Sequence, residues 1–238
     1  PLNLHKEHIE MDFVISPPER PSLPVTGSPM RFPVGRIWCV GRNYAEHARE
    51  FGHDPEREPP FFFSKPADAL LTDGGAMPYP PQTDDLHFEA ELVVALGTGG
   101  RDISPETALE HVWGYAAGID FTRRDLQAVA KKLGRPWDLA KGFDSSAVCG
   151  TLSPAAAIGH PGQGRITMSV DGALRQDGDL SAMIWSVAEV IAALSASVTL
   201  KPGDLIYTGT PVGVGAVTRG QTLRVEIDGL ESLATTIV

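Results

Sequence analysis

Hydrophobic positions along the chain predict a fold built mainly from β-strands. Apolar runs at Arg36–Gly41, Phe61–Phe63 and Val112–Phe121 are shorter than most helices and are bounded by polar or turn residues. Asp171-Gly172 and Asp228-Gly229 each stand between two strand-like runs. Asp-Gly pairs favour the tight turns of β-hairpins, because both positions tolerate positive φ. The pattern therefore predicts an α+β class in which strands dominate.

A few segments carry helical signals instead. Tyr44–Phe51 is a polar stretch with helical spacing. Apolar residues between Leu126 and Leu133 recur every three or four positions, and Gly134 follows as a candidate C-cap. Ser186-Val187-Ala188-Glu189 has the pattern of a capping box that opens a third helix. We expect these helices at the margins of the sheets.

The domain organisation is predicted to be simple. Residues 1–33 are rich in proline and lack sustained periodicity, which predicts an extended N-terminal arm or a small N-terminal region. Residues 34–238 show no repeat or low-complexity tract and are expected to form one domain.

Composition excludes several classes of function. The formal net charge is −10 and no basic run offsets it, which argues against binding to nucleic acid or anionic membranes. No apolar stretch approaches the roughly 20 residues that span a bilayer, and no secretory signal pattern opens the chain. Cys39 and Cys149 lie in apolar contexts, as reduced core thiols do. A cytoplasmic protein is expected.

The segment His87–Leu96 places two carboxylates on an otherwise apolar run. Residues i and i+2 of a strand point to the same face, so Glu89 and Glu91 are predicted to lie together. Two like charges repel when buried, unless a cation sits between them. Mg²⁺ and Mn²⁺ prefer such oxygen ligands. The alternative is an edge strand with Glu91 in solvent and Glu89 in a surface ion pair.

Asp120 ends a predicted buried strand about thirty residues after Glu91. Alone it is compatible with a carboxylate at a helix N-terminus. Together with Glu89 and Glu91 it completes one face of a divalent-cation shell, which leaves the opposite face for a chelating substrate.

Further candidate groups are a histidine dyad, a lysine and a glycine-rich segment. His47 and Glu50 are three residues apart, so on a helix the carboxylate orients the imidazole as a general base; a solvated charged helix is the alternative. Lys141 has small apolar neighbours and either stabilises negative charge or is exposed. The amides of Gly209–Gly215 and the Thr210 hydroxyl can receive a carboxylate, although these glycines also suit plain turns.

Taken together, these segments resemble the fumarylacetoacetate hydrolase family over about 200 residues, from Arg36 to the C-terminus. The resemblance rests on five motifs in the family's order: Cys39-Val40-Gly41-Arg42-Asn43-Tyr44 with His47 and Glu50, His87-x-Glu89-x-Glu91-Leu92, Asp120-x-x-x-Arg124-Asp125-x-Gln127, Lys141-Gly142-Phe143, and Thr208-Gly209-Thr210-Pro211-x-Gly213-Val214-Gly215. One departure is Arg123, where many relatives carry a small residue.

The resemblance implies a mixed β-sandwich roll with a few peripheral helices, and a homodimer. It implies one Mg²⁺ or Mn²⁺ per subunit on Glu89, Glu91 and Asp120, and a His47–Glu50 dyad on a lid that orders over the substrate. Lys141 then has a catalytic role. The substrate-binding residues implied are Arg42, Arg124, Gln127 and Thr210.

The activity that follows is hydrolysis of a C–C bond in an acylpyruvate, a 2,4-diketo acid. Two segments, 13–24 and 57–63, look like those of family members that cleave fumarylpyruvate to fumarate and pyruvate in aromatic catabolism. Arg42 and Arg123 are candidates for binding the distal carboxylate of that substrate. The alternatives are an oxaloacetate decarboxylase, an isomerase of a 2-oxo-enoic diacid, and a metal-stabilised binding protein without turnover.

Overall fold

The computed structural model describes residues 13–44, 58–72 and 74–238 of the chain. The predicted helix at 44–51 lies outside these residues apart from Tyr44, and so do His47 and Glu50. Within the described residues, no helix is both long enough and apolar enough to span a bilayer.

Strands make up most of the regular structure. They are β1 (Ser22–Val25), β2 (Ser28–Pro33), β3 (Ile37–Gly41), β4 (Phe61–Lys65), β5 (Leu70–Thr72), β6 (Leu86–Phe88), β7 (Ala90–Leu96), β8 (Val112–Asp120), β9 (Thr122–Arg123), β10 (Ala147–Cys149), β11 (Ser153–Pro154), β12 (Arg165–Val170), β13 (Ala173–Asp179), β14 (Leu205–Tyr207), β15 (Gly215–Val217), β16 (Thr222–Ile227) and β17 (Leu233–Thr236). The α-helices are α1 (Arg124–Leu133), α2 (Asp138–Lys141), α3 (Ala155–Ile158) and α4 (Val187–Ser197).

The strands form one large sheet and three smaller ones. The large sheet has the order β4-β3-β14-β7-β8-β10-β5, with β11 also paired to β8. A four-stranded sheet has the order β13-β12-β16-β17, a three-stranded sheet has β15-β6-β9, and β1 pairs with β2. The pairs β3–β14 and β5–β10 are parallel and the other named pairs are antiparallel, so the large sheet is mixed. The predicted strand-dominated α+β fold is confirmed.

Strand β7 at the centre of the large sheet is buried along its whole length. Leu92 and Val94 point into one hydrophobic core, and Val93 and Ala95 point into a second. Both faces of the sheet are therefore covered, which explains why this strand is a continuous apolar run rather than an alternating one.

Local sequence signals are confirmed where they were strongest. Asp171 and Gly172 have φ of 50° and 80° and join β12 to β13. Ser186 and Glu189 form both bonds of a capping box at the start of α4. Gly134 ends α1 in the left-handed conformation, with φ of 61°.

Part of the proline-rich N-terminal segment is regular structure. Strands β1 and β2 form a hairpin, and Leu23 of β1 is fully buried in the second core. The division of the chain at residue 33 stays a prediction.

The predicted strand at 87–96 is interrupted at Glu89. Strand β6 pairs with β15 and β9, whereas β7 pairs with β14 and β8, so the chain passes from one sheet to another at this residue. The Glu89 carbonyl accepts a bond of 2.9 Å from the Asp120 amide, and the Ala90 amide donates to Gln176 Oε1 at 3.0 Å. This crossing places two acidic side chains at the junction of the sheets.

Candidate metal and substrate site

Three buried carboxylates converge at the junction of the sheets. Glu89 lies at the break between β6 and β7, Glu91 lies on β7, and Asp120 ends β8; their exposed fractions are 6%, 2% and 1%. Each offers one oxygen atom, and these oxygens lie within 4.8 Å of one another. The two glutamates lie together as predicted, although Glu89 reaches the site from outside a regular strand.

Burial and like charge both act on the carboxyl group of Glu91. Burial and the neighbouring charges of Asp120 and Glu89 raise the pKa of Glu91 well above its ordinary value. The Gly209 amide opposes this shift by donating a bond of 2.7 Å to Glu91 Oε2. Ionised Glu91 is therefore costly here unless more positive charge is supplied.

Lys141 and Arg124 supply positive charge to the other side of the cluster. Lys141 Nζ donates to Glu89 Oε2 at 2.8 Å and to Asp120 Oδ2 at 2.7 Å, and Arg124 Nη2 donates to Glu89 Oε1 at 2.7 Å. Burial alone would lower the pKa of Lys141, but Asp120 and Glu89 outweigh it and raise the pKa above its usual range. Lys141 is therefore a buried ammonium, and the exposed alternative is excluded.

Lys65 is a second buried lysine that the sequence analysis missed. Its Nζ lies 2.8 Å from Asp120 Oδ1, and it donates to the carbonyls of Phe121 and Lys141. The signal was present in β4, because alternation puts Phe61, Phe63 and Lys65 on one face. A lysine that continues the inward face of an apolar strand needs a buried anion.

The donor set fits a hard divalent cation. Asp120 Oδ1 is buried and accepts no hydrogen bond from the described residues, because Lys65 Nζ approaches it without hydrogen-bond alignment. Octahedral Mg²⁺ or Mn²⁺ shells, with oxygens at about 2.1 Å from the ion, place those oxygens roughly 3–4 Å apart. The three carboxylate oxygens, within 4.8 Å of one another, lie close to that spacing.

The cluster opens into a cavity that is connected to the protein surface. Glu89, Glu91 and Lys141 form part of its wall, and so do the predicted substrate-binding residues Arg42, Arg124, Gln127 and Thr210. Phe61, Phe63 and Trp137 supply an aromatic side, and Lys131 adds a further cation that the sequence analysis did not select. The cavity thus combines a carboxylate cluster with several cations, as a site for an anionic small molecule requires.

Helix α1 and the glycine-rich segment hold the predicted polar groups in place. Arg124 Nη1 donates to Gln127 Oε1 at 2.8 Å, which links two side chains three residues apart on α1. Thr210 Oγ1 accepts from Gln176 Nε2 at 2.8 Å. Gln176 is fully buried, and its Oε1 also accepts a hydrogen bond from the Ala90 amide. It therefore links the segment around Thr210 to the point at Glu89 where the chain passes between two sheets. This glutamine was missed too.

Position 209 requires a glycine. Its φ is +98°, and an added Cβ would lie 2.8 Å from Asn43 Cβ. Asn43 is held by bonds to the Thr208 carbonyl and to both the amide and the carbonyl of Trp185. A larger residue at position 209 would therefore displace the amide that binds Glu91.

Gly209→Ala is expected to destabilise the fold by about 2–3 kcal/mol, because positive φ and a close contact both penalise the methyl group. Gly229→Ala is the matched control, since Gly229 has φ of +80° but no atom within 4 Å of an added Cβ. Urea unfolding of both variants isolates the cost of the contact. Equal losses would contradict a tight fit between Gly209 and Asn43.

Arg123 does not join this site. Its guanidinium lies 4.4 Å from the centre of the Phe143 ring, and its Nη1 donates to the Leu139 carbonyl at 3.3 Å. It is not among the residues that line the cavity. The structure therefore gives no support to Arg123 as a substrate anchor, whereas Arg42 stays a candidate.

Comparison with known proteins identifies relatives of this chain. Residues 36–238 match the family described as fumarylacetoacetate (FAA) hydrolase, C-terminal. The chain is 42% identical over 184 residues to a fumarylpyruvate hydrolase of a Ralstonia species, covering 77% of this chain and 95% of that one. It is 41% identical over 198 residues to the mitochondrial oxaloacetate tautomerase FAHD1 of Arabidopsis thaliana, covering 83% and 88%.

A solved structure shares the fold almost throughout. It is the fumarylpyruvate hydrolase of Pseudomonas aeruginosa in complex with Mn²⁺ and pyruvate. The two chains are 52% identical, the TM-score is 0.94, and the match covers 95% of this chain and 99% of that one.

Proposed function

This chain belongs to the fumarylacetoacetate hydrolase family, and we propose that it hydrolyses fumarylpyruvate to fumarate and pyruvate. The observation that carries the proposal is the buried Glu89–Glu91–Asp120 cluster at the wall of a cavity rich in cations. The 52% identical relative crystallised with Mn²⁺ and pyruvate supports both the metal and the product.

We propose that Glu89, Glu91 and Asp120 hold one Mg²⁺ or Mn²⁺ per subunit. When bound, such an ion supplies Lewis-acid polarisation to the carboxylate and 2-oxo end of the substrate. The raised pKa of Glu91 supports this assignment, because a divalent charge offsets the repulsion that burial and its acidic neighbours create.

The pyruvate end of the substrate is proposed to be positioned and stabilised by four residues: Lys141, Arg124, Gln127 and Thr210. Lys141 keeps its proton on Nζ, because its pKa is raised, and so it acts as a donor and not as a base. A buried ammonium is suited to stabilising the charge that grows on the 2-oxo oxygen. Gln127 and Thr210 line the cavity beside it and offer polar contacts that orient the substrate.

His47 and Glu50 are proposed to activate water. His47, oriented by Glu50, takes a proton from water as the oxygen attacks the C4 ketone. The C3–C4 bond then breaks and its electron pair forms the enolate of pyruvate, which gains a proton at C3. The sum is fumarylpyruvate plus water giving fumarate plus pyruvate.

Oxaloacetate is the alternative substrate, and the 41% identical oxaloacetate tautomerase favours it. Decarboxylation or tautomerisation of oxaloacetate also passes through negative charge on a 2-oxo oxygen, but neither consumes water. Isomerisation of a 2-oxo-enoic diacid, and metal-stabilised binding without turnover, are the remaining candidates. The proposed cellular form is a cytoplasmic homodimer, and the two buried free thiols suit a reducing compartment.

A side-by-side assay of fumarylpyruvate, acetylpyruvate and oxaloacetate tests the proposal. We expect the largest kcat/KM for fumarylpyruvate, reversible loss of activity in EDTA, and recovery with Mg²⁺ or Mn²⁺. Faster turnover of oxaloacetate than of both acylpyruvates, or full activity after metal stripping, would contradict the proposed function.

Arg42→Ala is expected to impair fumarylpyruvate selectively. Arg42 lines the cavity and lies 5.5 Å from the Phe61 ring, so it can pair with the distal carboxylate that acetylpyruvate lacks. We expect a loss of roughly 2–4 kcal/mol of transition-state binding on fumarylpyruvate alone. Arg123→Ala is the comparison, because Arg123 lies outside the cavity wall. Steady-state kinetics on both acylpyruvates measure the difference, and equal losses on both would exclude Arg42 as the anchor.

A further inference from the structure

One face of α1 runs along the cavity. Arg124, Gln127 and Lys131 stand at positions i, i+3 and i+7 of this helix, so their side chains share a face. All three line the cavity. Arg124 contacts Glu89 at the carboxylate cluster, and Gln127 contacts Arg124. Lys131 lies farther along the same face, away from the cluster.

The length of this face matches the proposed substrate. Seven residues of an α-helix rise about 10 Å, which separates the backbone positions of Arg124 and Lys131. Fumarylpyruvate has a chain of seven carbons, and six C–C bonds of about 1.5 Å span roughly 7–8 Å when extended. A substrate whose pyruvate end lies at the cluster therefore brings its other carboxylate toward Lys131.

The surroundings of Lys131 suit a flat anionic group. Its Nζ lies 5.2 Å from the Trp137 ring, and that ring packs edge-on against Phe61 at 5.5 Å. The Arg42 guanidinium lies 5.5 Å from the centre of the Phe61 ring. Two cations thus flank an aromatic pair at the cavity wall, where the planar fumaryl group can pack.

Several cations line the cavity wall along this helix face. Partial burial, and to a lesser extent the charges of Arg124 and Arg42, lower the pKa of Lys131. A substrate carboxylate can form charge-assisted hydrogen bonds with an ammonium group, whereas a methyl group cannot.

We propose that Lys131 determines specificity by binding, together with Arg42, the substrate carboxylate remote from the cleaved bond. The proposal rests on the proposed hydrolysis of acylpyruvates and names the residue that selects a diacid among them. Lys131 acts on binding and takes no part in breaking the C–C bond.

Lys131→Met tests the charge while keeping the length of the side chain. We expect KM for fumarylpyruvate to rise by about 10–100-fold, with kcat within about threefold, because the distal carboxylate does not react. Kinetics on acetylpyruvate should not change. Lys131→Arg should restore KM for fumarylpyruvate to within about fivefold, since it restores the charge.

Lys132→Met is the matched control, because Lys132 is the exposed next residue of α1 and does not line the cavity. It should behave as the native enzyme on both substrates. Three results would overturn the role of Lys131 while leaving hydrolysis intact. They are an equal rise in KM for both substrates in Lys131→Met, no rise for either substrate, and no recovery of KM in Lys131→Arg. A native enzyme that cleaves neither acylpyruvate would overturn the proposed function, and the role of Lys131 with it.

Discussion

Glu91→Gln should abolish metal-supported turnover while the fold stays intact. Glutamine keeps an oxygen that can accept the Gly209 amide, which now donates to Glu91 at 2.7 Å, but it removes the ligand charge. We expect the affinity for Mg²⁺ and Mn²⁺ to fall at least about 100-fold. Mutation of a residue that only hydrogen-bonds to a metal ligand already lowers metal affinity by about 10–100-fold. Titration calorimetry with each metal, and kcat/KM at millimolar metal, measure both effects.

The metal-free variant should also be more stable than the metal-free native protein. The pKa of Glu91 is raised by burial, Asp120 and Glu89, so the folded state disfavours the ionised carboxylate at neutral pH. A neutral isostere removes that cost. The increase in Tm on adding metal should in turn largely vanish, because the stabilisation depends on the ratio of metal concentration to Kd.

Glu110→Gln is the control for both measurements, because Glu110 is an exposed carboxylate outside the cavity wall. It should leave activity and the metal-dependent Tm unchanged. Undiminished metal activation of Glu91→Gln would show that the carboxylate cluster is not the metal site.

His47→Ala is expected to lower kcat for fumarylpyruvate by about 10²–10⁴-fold, the usual contribution of a general base. Metal affinity should stay nearly unchanged, because His47 is not among the proposed ligands. Presteady-state and steady-state kinetics on the same preparation separate the chemical step from binding.

Decarboxylation of oxaloacetate, where the native enzyme supports it, is the internal comparison for this variant. That reaction needs no activated water, so His47→Ala should impair it less than hydrolysis. Equal losses in both reactions would assign His47 to closing the site over the substrate and not to general-base catalysis.

Signals confined to a few neighbouring residues made much of the fold predictable. The capping box at Ser186 and the Asp171-Gly172 turn depend on local hydrogen bonds and allowed φ angles, so their sequences identify them. The break at Glu89 does not have such a signal. It arises because β6 and β7 pair with different sheets, and that choice depends on partners far along the chain.

The same distinction explains which site residues the sequence predicted. Glu89 and Glu91 were recognisable because two acids interrupt one apolar run. Gln176 was not, because it meets Ala90 across 86 residues of chain. Alternation in β4 marked Lys65 as an inward-facing cation, but its partner Phe121 lies 56 residues away. The roles of these two residues depend on tertiary contacts, which the spacing of residues along the sequence does not show.

Arg123 shows how a neighbour in sequence can be misleading. Thr122 Oγ1 donates to Glu89 Oε1 at 3.2 Å, so residue 122 faces the carboxylate cluster. Successive residues of a strand point to opposite faces, and Arg123 therefore turns away toward Phe143. Alternation along β9 would have been the better guide than proximity to Asp120.

The passage of the chain between two sheets at Glu89 has a kinetic consequence. The ligand cluster is complete only when contacts across long loops have formed, including 52 residues between Glu89 and Lys141 and 118 between Glu91 and Gly209. Contacts of such separation form late, because loop-closure entropy opposes them. We therefore expect the binding site for a cation to be absent from the folding transition state. We therefore expect a bound cation to slow unfolding and to leave the folding rate nearly unchanged, which would extend the lifetime of the native state.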